Sequence, residues 1–482
     1  MYPEERCISA GEETKLIAFV IIAGCVLSTL MAYCYIGECL INESTSFGES
    51  FYQCKWYNIS QEEIKLMHIC MMRSSKQMQL TVGKFFALSL TTFTDVVKTS
   101  MAYLSELDFH GTRRLIDLNK RTLNCAGIWP EKIHEPVFIF FSVYLALHCT
   151  MGVISITNNI SNLEYVLACF EENLFHFMTL LKICICRINS NSLAEIIKEI
   201  KVDFIPERYK TDEEKIAFLN YNNFSLMVVR VTLGTSSTAA VLIVLLLTVV
   251  ANSSYGYVLP YKSRPLIEPT NLTIYICLCL YQFLIVLTII FGYIGSDCLF
   301  INLVLHVSGV FSALSCKVKH VLNNPENRKR RIKKLILRHI RLVRLADSLE
   351  SNFNVLILQE LMGITLHLSL LGYDTLVCIA AGEQKKLITF FIVACRVLST
   401  LLLYCYIGEC LINESTSFGE SFYQCKWYNI SQEEIKLIHI CMMRSSKQME
   451  LTVGKFFVLS LTTFTDVVKT SMAYLSVLRT FM

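Results

Sequence analysis

The feature that most limits the fold of this chain is its series of long apolar stretches. Each is close to the ~20 residues that an α-helix needs to cross the ~30 Å hydrocarbon core of a bilayer. Because lipid offers no hydrogen bonds to the backbone, such stretches predict an all-α, polytopic membrane protein. Two stretches, residues 16–40 and 82–104, lie near the amino terminus. Seven more follow at residues 134–156, 163–186, 226–251, 272–299, 355–379, 387–411 and 453–478.

The composition also favours a membrane protein. Hydrophobic residues make up 53% of the chain and charged residues 17%, with a mean hydropathy of +0.47, whereas soluble domains average ~25% charged residues. The 21 Cys residues lie mostly inside apolar stretches, where Cys behaves as a small hydrophobic side chain. The sequence has no motif of a metal site, a hydrolase or a nucleotide-binding enzyme. We therefore predict that the chain is not an enzyme and needs no metal or cofactor.

Basic segments orient the predicted spans. Residues 317–344 contain eleven Lys or Arg, a run that could bind nucleic acid but that, between two spans, more simply marks a cytosolic loop. Similar basic segments precede the first of the seven spans and separate the second from the third and the sixth from the seventh. We therefore predict a cytosolic amino terminus for residues 106–482 and no nucleic-acid partner. Candidate glycosylation sites on the outer side are Asn159, Asn252 and Asn271.

The chain contains a nearly identical copy of part of itself. Residues 33–105 align with residues 404–476 at a constant offset of 371, and only three of the 73 positions differ. Solenoid repeats are shorter and stack in larger numbers. We therefore divide the chain into residues 1–105, a partial duplicate of the last two spans, and residues 106–482, a complete seven-helix bundle. In the predicted orientation the duplicated helices run opposite to their twins, so we interpret residues 1–105 as a tandem-gene fusion.

The last predicted span is not uniformly apolar. Thr463, Asp466 and Thr470 recur at helical spacing, and Lys469 lies three residues from Asp466. A charge at the centre of a bilayer costs ~2.5 to 3.5 kcal/mol, so these two charges are expected to pair or to face a water-filled space. The residues alone leave two interpretations open, a structural ion pair and a helix that lines a pore.

Short motifs along residues 106–482 resemble those of the insect odorant receptors, in the order in which that family has them. Each motif is loose by itself, but their order is specific. The matching positions are Leu118, Asn119, Lys120, Gly127, Ile128, Trp129 and Pro130 before the first span; Tyr275, Tyr281 and Gln282 in the fourth; Tyr406, Gly408, Glu409, Ser415, Trp427 and Tyr428 in and after the sixth; and Thr463, Phe464, Lys469, Ser471 and Tyr474 in the seventh.

The resemblance implies a non-selective cation channel that a small volatile odorant opens, formed as a heterotetramer with a co-receptor. It also implies a place in the plasma membrane of olfactory sensory neurons, in contact with lipid. The duplication adds two extra helices in front of the family's seven. For the odorant, in the outer half of the bundle, the candidates are Tyr165, Tyr257, Tyr275, Tyr373 and Phe391. For the pore and its gate they are Thr463, Asp466, Lys469, Thr470, Val477 and Phe481.

Other membrane receptors fit the residues less well. A G-protein-coupled receptor would carry a DRY-like triplet and an NPxxY motif, and neither is found in the expected spans. The related gustatory receptors typically carry TYxxxxxQF in the last helix, where this chain reads Thr463, Phe464, Thr465 and Asp466. A gustatory-type channel and a non-functional fusion product remain the alternatives.

Overall fold

The structure is a computed structural model that describes residues 29–30, 33–51, 60–74, 76–83, 86–104, 109–251, 271–321, 327–382, 384–425 and 430–479. The chain forms two compact units, Met1–Leu104 and Ser105–Met482, and each is described by itself. The boundary falls next to the end of the duplicated sequence. Whether the first unit arose by gene fusion stays a prediction.

Among its described residues, the first unit contains three helices and a small hairpin. They are α1 (residues 33–51), α2 (Gln61–Ser74), β1 (Thr81–Val82), β2 (Phe86–Ala87) and α3 (Leu90–Leu104). The two strands pair antiparallel, with Thr81 opposite Ala87. The Glu38 carboxylate on α1 accepts the N–H of Leu90 at 3.0 Å, which places a negative charge at the positive end of α3.

The second unit is almost entirely helical among its described residues. Two short 3₁₀ turns, Val202–Phe204 and Pro206–Arg208, precede α8. The elements are α4 (Phe109–Cys125), α5 (Glu135–Asn158), α6 (Leu163–Ile188), α7 (Ser190–Lys201), α8 (Asp212–Ala251), α9 (Leu272–Thr288), a π-helical turn (Ile289–Ile294), α10 (Gly295–Val321), α11 (Arg328–Ala381), α12 (Gln384–Tyr423), α13 (Gln432–Ser445), β3 (Thr452–Val453), β4 (Phe457–Val458) and α14 (Leu461–Leu478).

Helix α10 forms the centre of this unit. It packs between α8 and α12 and also contacts α11, and every residue from 295 to 311 is buried. A helix that is surrounded on all sides is apolar around its whole circumference, as Leu303, Val304 and Leu305 show. The polar residues on its buried stretch, among them Asp297 and His306, therefore need partners on neighbouring helices.

Each predicted membrane span of the second unit coincides with a helix over most of its length. By length and apolar character, four helical segments of the described residues can cross a bilayer: Glu135–Asn158, Leu272–Val321, Arg328–Ala380 and Val393–Tyr423. The other three predicted spans lie on α6, α8 and α14. The all-α bundle predicted from the apolar stretches is therefore confirmed.

The start of the seventh predicted span is wrong. Residues 453–460 are not helical, because β3 and β4 form a hairpin there and α14 begins only at Leu461. Gly454 and Lys455 have φ of 57° and 67°, and the Phe456 N–H bonds the Val453 carbonyl at 3.0 Å. Two positive φ values at the centre of a turn are the type I′ geometry that suits a twisted hairpin. The sequence did not predict this turn, because apolar residues flank Gly454 and Lys455 on both sides.

The basic segment at residues 317–344 is also more regular than the predicted loop. Lys317 and Lys319 belong to α10, and the Lys and Arg residues from Arg328 onward begin the 54-residue helix α11. Both helices therefore continue well beyond the ~20 residues that a membrane needs. The basic charges lie on rigid helical extensions outside the spans.

Gly127 ends α4 with a turn that only glycine accommodates without strain. Its φ is 73°, and a Cβ there would lie 2.7 Å from the backbone nitrogen of Phe138. The chain consequently reverses beside α5, and Trp129 becomes one of the largest fully buried side chains. The conformation explains why glycine precedes this buried indole.

Candidate ligand cavity

A cavity of about 240 Å³ lies among five helical segments of the second unit. Its lining residues lie near the middle of the predicted spans, and most are apolar. The volume is below the ~300 Å³ at the lower end for drug-sized ligands, which suits a smaller molecule. The lining consists of Leu174, Phe175 and Met178 from α6, Ser236 from α8, Val286, Ile289, Ile290, Tyr293, Ile294 and Asp297 from α9 to α10, Glu360, Gly363, Ile364 and His367 from α11, and Arg396, Val397 and Thr400 from α12.

Helix α11 contributes one straight stripe to this lining. Glu360, Gly363, Ile364 and His367 are spaced at i, i+3, i+4 and i+7, which places them on one face. A Cβ on Gly363 would lie 2.2 Å from the Met178 side chain, so glycine permits the close approach of α6. Glu360 and His367 are separated by about 10 Å along the helix, at ~1.5 Å per residue.

His367 is a buried polar group of this cavity without a hydrogen bond. Its side chain is only 4% exposed, and neither ring nitrogen has a hydrogen-bond partner. The Phe175 ring packs edge-on against it at 4.7 Å, and the Glu171 carboxylate lies 3.8 Å from Nδ1, beyond hydrogen-bond distance. A buried polar group without a partner is costly, so a ligand with a polar atom would relieve that cost.

The deeper end of the cavity is formed by a fully buried ionic cluster. The Lys182 ammonium pairs with Asp297 and, at 2.7 Å, with Glu360. The Tyr293 hydroxyl donates to both Glu360 oxygens at 2.7 and 2.8 Å, and the Tyr404 hydroxyl donates to Asp297 at 2.6 Å. The cluster thus joins α6, α10, α11 and α12 through groups that are 0–8% exposed.

Two carboxylates face one ammonium in this cluster, so the hydroxyls of Tyr293 and Tyr404 supply further hydrogen bonds to the excess negative charge. Lys182 also lies 3.4 Å from the centre of the Tyr293 ring, which adds a cation–π contact. Breaking a buried ion pair by removing one partner typically costs ~3 to 5 kcal/mol, because the other charge is left uncompensated. The cluster therefore gives the cavity a rigid polar floor beneath apolar walls.

The structure places the sequence-based ligand candidates away from this cavity. Tyr165 is half-buried and shares a 2.6 Å hydrogen bond with Ser155, Tyr275 and Tyr373 are buried, and Phe391 is 70% exposed. None of these four is among the cavity residues, and Tyr257 lies outside the described residues. Their role as ligand contacts stays a prediction.

The candidate pore residues fall on two sides of α14. Asp466, Lys469, Thr470 and Val477 are exposed, whereas Thr463 is half-buried and its hydroxyl donates to the Val458 carbonyl at 2.6 Å. Phe481 lies outside the described residues. For glycosylation, Asn159 caps the end of α5 and Asn271 precedes α9, while Asn252 is also outside the described part of the chain.

The residues that form the cavity floor were not predicted, although charged residues within apolar stretches indicated them. Lys182, Asp297 and Glu360 are charged residues inside three different predicted spans. Ionisable residues at membrane depth are costly and therefore tend to be paired and functional. The pairing itself was not accessible, because the three residues are more than 60 positions apart in the chain.

Comparisons with known proteins agree on one family. The family profile described as 7tm Odorant receptor matches residues 7–101 and 172–472. The chain is 31% identical over 147 residues to the odorant receptor coreceptor of Anopheles gambiae, covering 30% of each chain. It is 28% identical over 163 residues to odorant receptor 13a of Drosophila melanogaster, covering 31% of this chain and 38% of that one. These matches span about a third of the relatives' length.

Solved structures show the same fold. The olfactory receptor OR5 of Machilis hrabei in complex with eugenol superimposes with a TM-score of 0.65 at 12% identity. The superposition covers 78% of this chain and 100% of that chain. A second structure of the same receptor gives a TM-score of 0.64 at 13% identity.

Proposed function

Because the chain belongs to the family of seven-transmembrane odorant receptors, we propose that it binds a small volatile odorant and opens a non-selective cation channel together with a co-receptor. Membership confirms the resemblance found in the sequence and the prediction that the chain is not an enzyme. The proposal extends to a heterotetramer in the plasma membrane of olfactory sensory neurons.

The observation that carries this proposal is the cavity at mid-depth in the bundle. Its walls are mostly apolar residues such as Ile290 and Ile364, and its polar groups are His367, the ionic cluster, and the side chains of Ser236, Arg396 and Thr400. An apolar site with a few fixed polar groups is the common form of a small-molecule site. The ligand class that fits best is a small, mostly apolar molecule with one polar atom that reaches His367.

The structure offers a route from this cavity to α14. Two residues beyond His367, the Ser369 hydroxyl is shared between the Thr365 carbonyl at 2.8 Å and the Ser471 carbonyl of α14 at 3.2 Å. Gly372 packs closely against Leu475. A ligand that fits better when α11 is displaced would therefore bias the position of α14. It can shift the equilibrium only by its preference for that state, so a 100-fold preference supplies ~2.7 kcal/mol.

The proposal is tested by filling the cavity. Ile364 is buried in the lining, and Leu366 lies two residues away on the exposed side of the same helix. With an insect co-receptor in a heterologous cell, we expect Ile364→Trp to raise the odorant concentration for half-maximal cation current at least tenfold. This corresponds to a loss of about 1.4 kcal/mol in binding free energy. Leu366→Trp, the matched control, should leave it unchanged.

Surface delivery of each variant is measured by labelling an external tag, so that a loss of current is separated from a loss of protein. Eugenol, the ligand of the solved relative, belongs in the odorant panel. If Ile364→Trp reaches the surface and responds like the unchanged chain, the cavity is not the odorant site.

A further inference from the structure

A second, larger cavity lies where α8, α10 and α11 extend beyond the predicted spans, away from the ligand cavity. Its volume is about 810 Å³, and it is formed by the 3₁₀ turn Pro206–Arg208, the start of α8, the end of α10 and the start of α11. Among its described lining residues, eight are Lys or Arg and one, Glu214, is acidic. Neither the odorant site nor the α14 surface uses these residues.

Three of the cavity's cationic side chains, Arg341, Arg208 and Lys317, contact carboxylates. Arg341 holds the buried Asp203 through two bonds of 3.0 and 2.9 Å, Arg208 bonds the same carboxylate at 2.7 Å, and Lys317 lies 3.5 Å from Glu214. Burial raises the pKa of Asp203, but the nearby His306 and Arg341 hold it well below its usual range. Arg341 Nε also lies 3.6 Å from the Glu199 carboxylate. Three carboxylates, Asp203, Glu199 and Glu214, thus lie against these side chains, whereas the lining holds eight cationic side chains.

Arg338 has side-chain donor atoms that are buried away from solvent. Its guanidinium packs over the Tyr209 ring at 5.1 Å, and Nη1 makes a long bond of 3.4 Å to the Arg208 carbonyl. Its Nε and Nη2 atoms are buried and have no hydrogen-bond partner. Buried guanidinium donors without acceptors are costly, and phosphate oxygens are the acceptors that fit them best.

The distance from the predicted spans decides which phosphates could reach this cavity. Arg338 precedes residue 355 by about 25 Å, Lys317 follows residue 299 by about 27 Å, and Glu214 precedes residue 226 by about 18 Å, at ~1.5 Å of rise per residue. The headgroup layer on one side of a bilayer is only ~5 to 8 Å thick, and charges are screened over ~8 Å at physiological salt. With the span boundaries predicted from the sequence, lipid headgroups end short of the cavity.

We propose that this basic cavity is a binding site for a soluble polyphosphate, of the class of inositol polyphosphates and nucleoside triphosphates. Its concave shape and volume suit a compact small molecule, and its clustered Lys and Arg suit several phosphate groups at once. In the predicted orientation the site faces the cytosol. The cavity is lined by α8, α10 and α11. A polyanion bound there holds these three helices together, because it offsets the repulsion between their positive charges.

The test measures binding of radiolabelled inositol hexakisphosphate, and separately of ATP, to the full chain in phosphatidylcholine nanodiscs. The pocket variant is Arg330→Gln with Lys334→Gln, two exposed residues that line the cavity. The matched control is Lys333→Gln with Arg344→Gln, which removes the same charge from exposed positions of the same helix outside the cavity. We expect the pocket variant to bind about tenfold more weakly or worse, and the control to bind nearly as well as the unchanged chain.

Each other outcome overturns the proposal. An equal loss in both variants means that the polyanion is attracted by diffuse charge rather than held in the cavity. In a parallel arm, nanodiscs contain a phosphoinositide bisphosphate; if only this lipid binds, and soluble polyphosphates do not, the source is the membrane. Binding of neither probe to the unchanged chain removes the site altogether. Size-exclusion profiles of all variants establish that each is folded.

Discussion

The two copies of the duplicated sequence have the same local structure. In both, a carboxylate accepts the first N–H of the following helix, Glu38 from Leu90 at 3.0 Å and Glu409 from Leu461 at 3.2 Å. In both, a serine hydroxyl accepts a methionine N–H, at 3.2 Å in the first copy and 3.1 Å in the second. The hairpin occurs in each copy with an equivalent register. These contacts therefore depend on the duplicated residues alone.

The copies differ in what covers their side chains. Tyr33 is 59% exposed and its twin Tyr404 is fully buried; Phe47 is 62% exposed and its twin Phe418 is fully buried. In the second unit Tyr404 bonds Asp297 of α10, and Phe418 packs against Phe311 of α10 and His339 of α11. In the second unit these aromatic side chains are buried because α10 and α11 pack against them. In the first unit the same residues are left as exposed apolar surface.

The largest difference between the copies is expected from removing an aromatic ring. Phe418→Ala should lower the free energy of unfolding by about 3 to 5 kcal/mol, because it leaves a cavity in a closely packed core. Phe47→Ala, the same change in the first copy, should stay within about 0.5 kcal/mol. Thermal or denaturant unfolding of the purified full chain in detergent measures both. Equal effects would mean that the first copy has a core of its own.

A smaller difference is expected from one hydroxyl group. Tyr404→Phe removes the hydrogen bond to Asp297 and should cost about 1.5 to 3 kcal/mol, the range for hydrogen bonds to charged groups. Tyr33→Phe should be nearly neutral, since the Tyr33 side chain is mostly exposed. The same unfolding assay compares the two, and a neutral Tyr404→Phe would show that the ionic cluster does not need this donor.

The comparison can be sharpened at the position where the copies diverge. Val477 lies on the exposed side of α14, and the first copy has Glu106 at the equivalent position. If Val477 closes the pore, Val477→Glu should hydrate the closed gate and raise the resting current about tenfold. This corresponds to a shift of ~1.4 kcal/mol in the equilibrium between the closed and open channel. Met472→Glu, at another exposed position of the same helix, is the control. An unchanged resting current with normal surface delivery would remove Val477 from the gate.

The smallest effect is expected from removing the first copy. A chain that begins at Met101 lacks nearly all of the unit Met1–Leu104 but retains the cavity, the ionic cluster and α14. We expect its unfolding midpoint and its odorant-evoked current with a co-receptor to equal or exceed those of the full chain. A loss of current at normal surface delivery would show that residues 1–104 take part in the channel, against the interpretation as a fusion product.

Sequence analysis located the helices better than the contacts between them. The apolar stretches placed six spans of the second unit on helices, and the seventh from Leu461 onward, because a span must be long and apolar wherever it lies. It missed the hairpin before α14, since Gly454 and Lys455 are only two residues within a longer apolar run, too few to divide the predicted span. It also missed the cavity, because residues such as Met178 and Gly363 are neighbours only after α6 and α11 pack together.

By itself, the sequence determined the helices, the turn geometry and the caps of both copies, because backbone hydrogen bonds and φ preferences are satisfied within a few tens of residues. It also determined the family, through motifs spread along the chain in order. The tertiary structure alone decided which of two nearly identical tyrosines is buried, and which of many apolar side chains surround a cavity. The physical reason is that burial belongs to a pair of surfaces, and each copy of the sequence supplies only one of them.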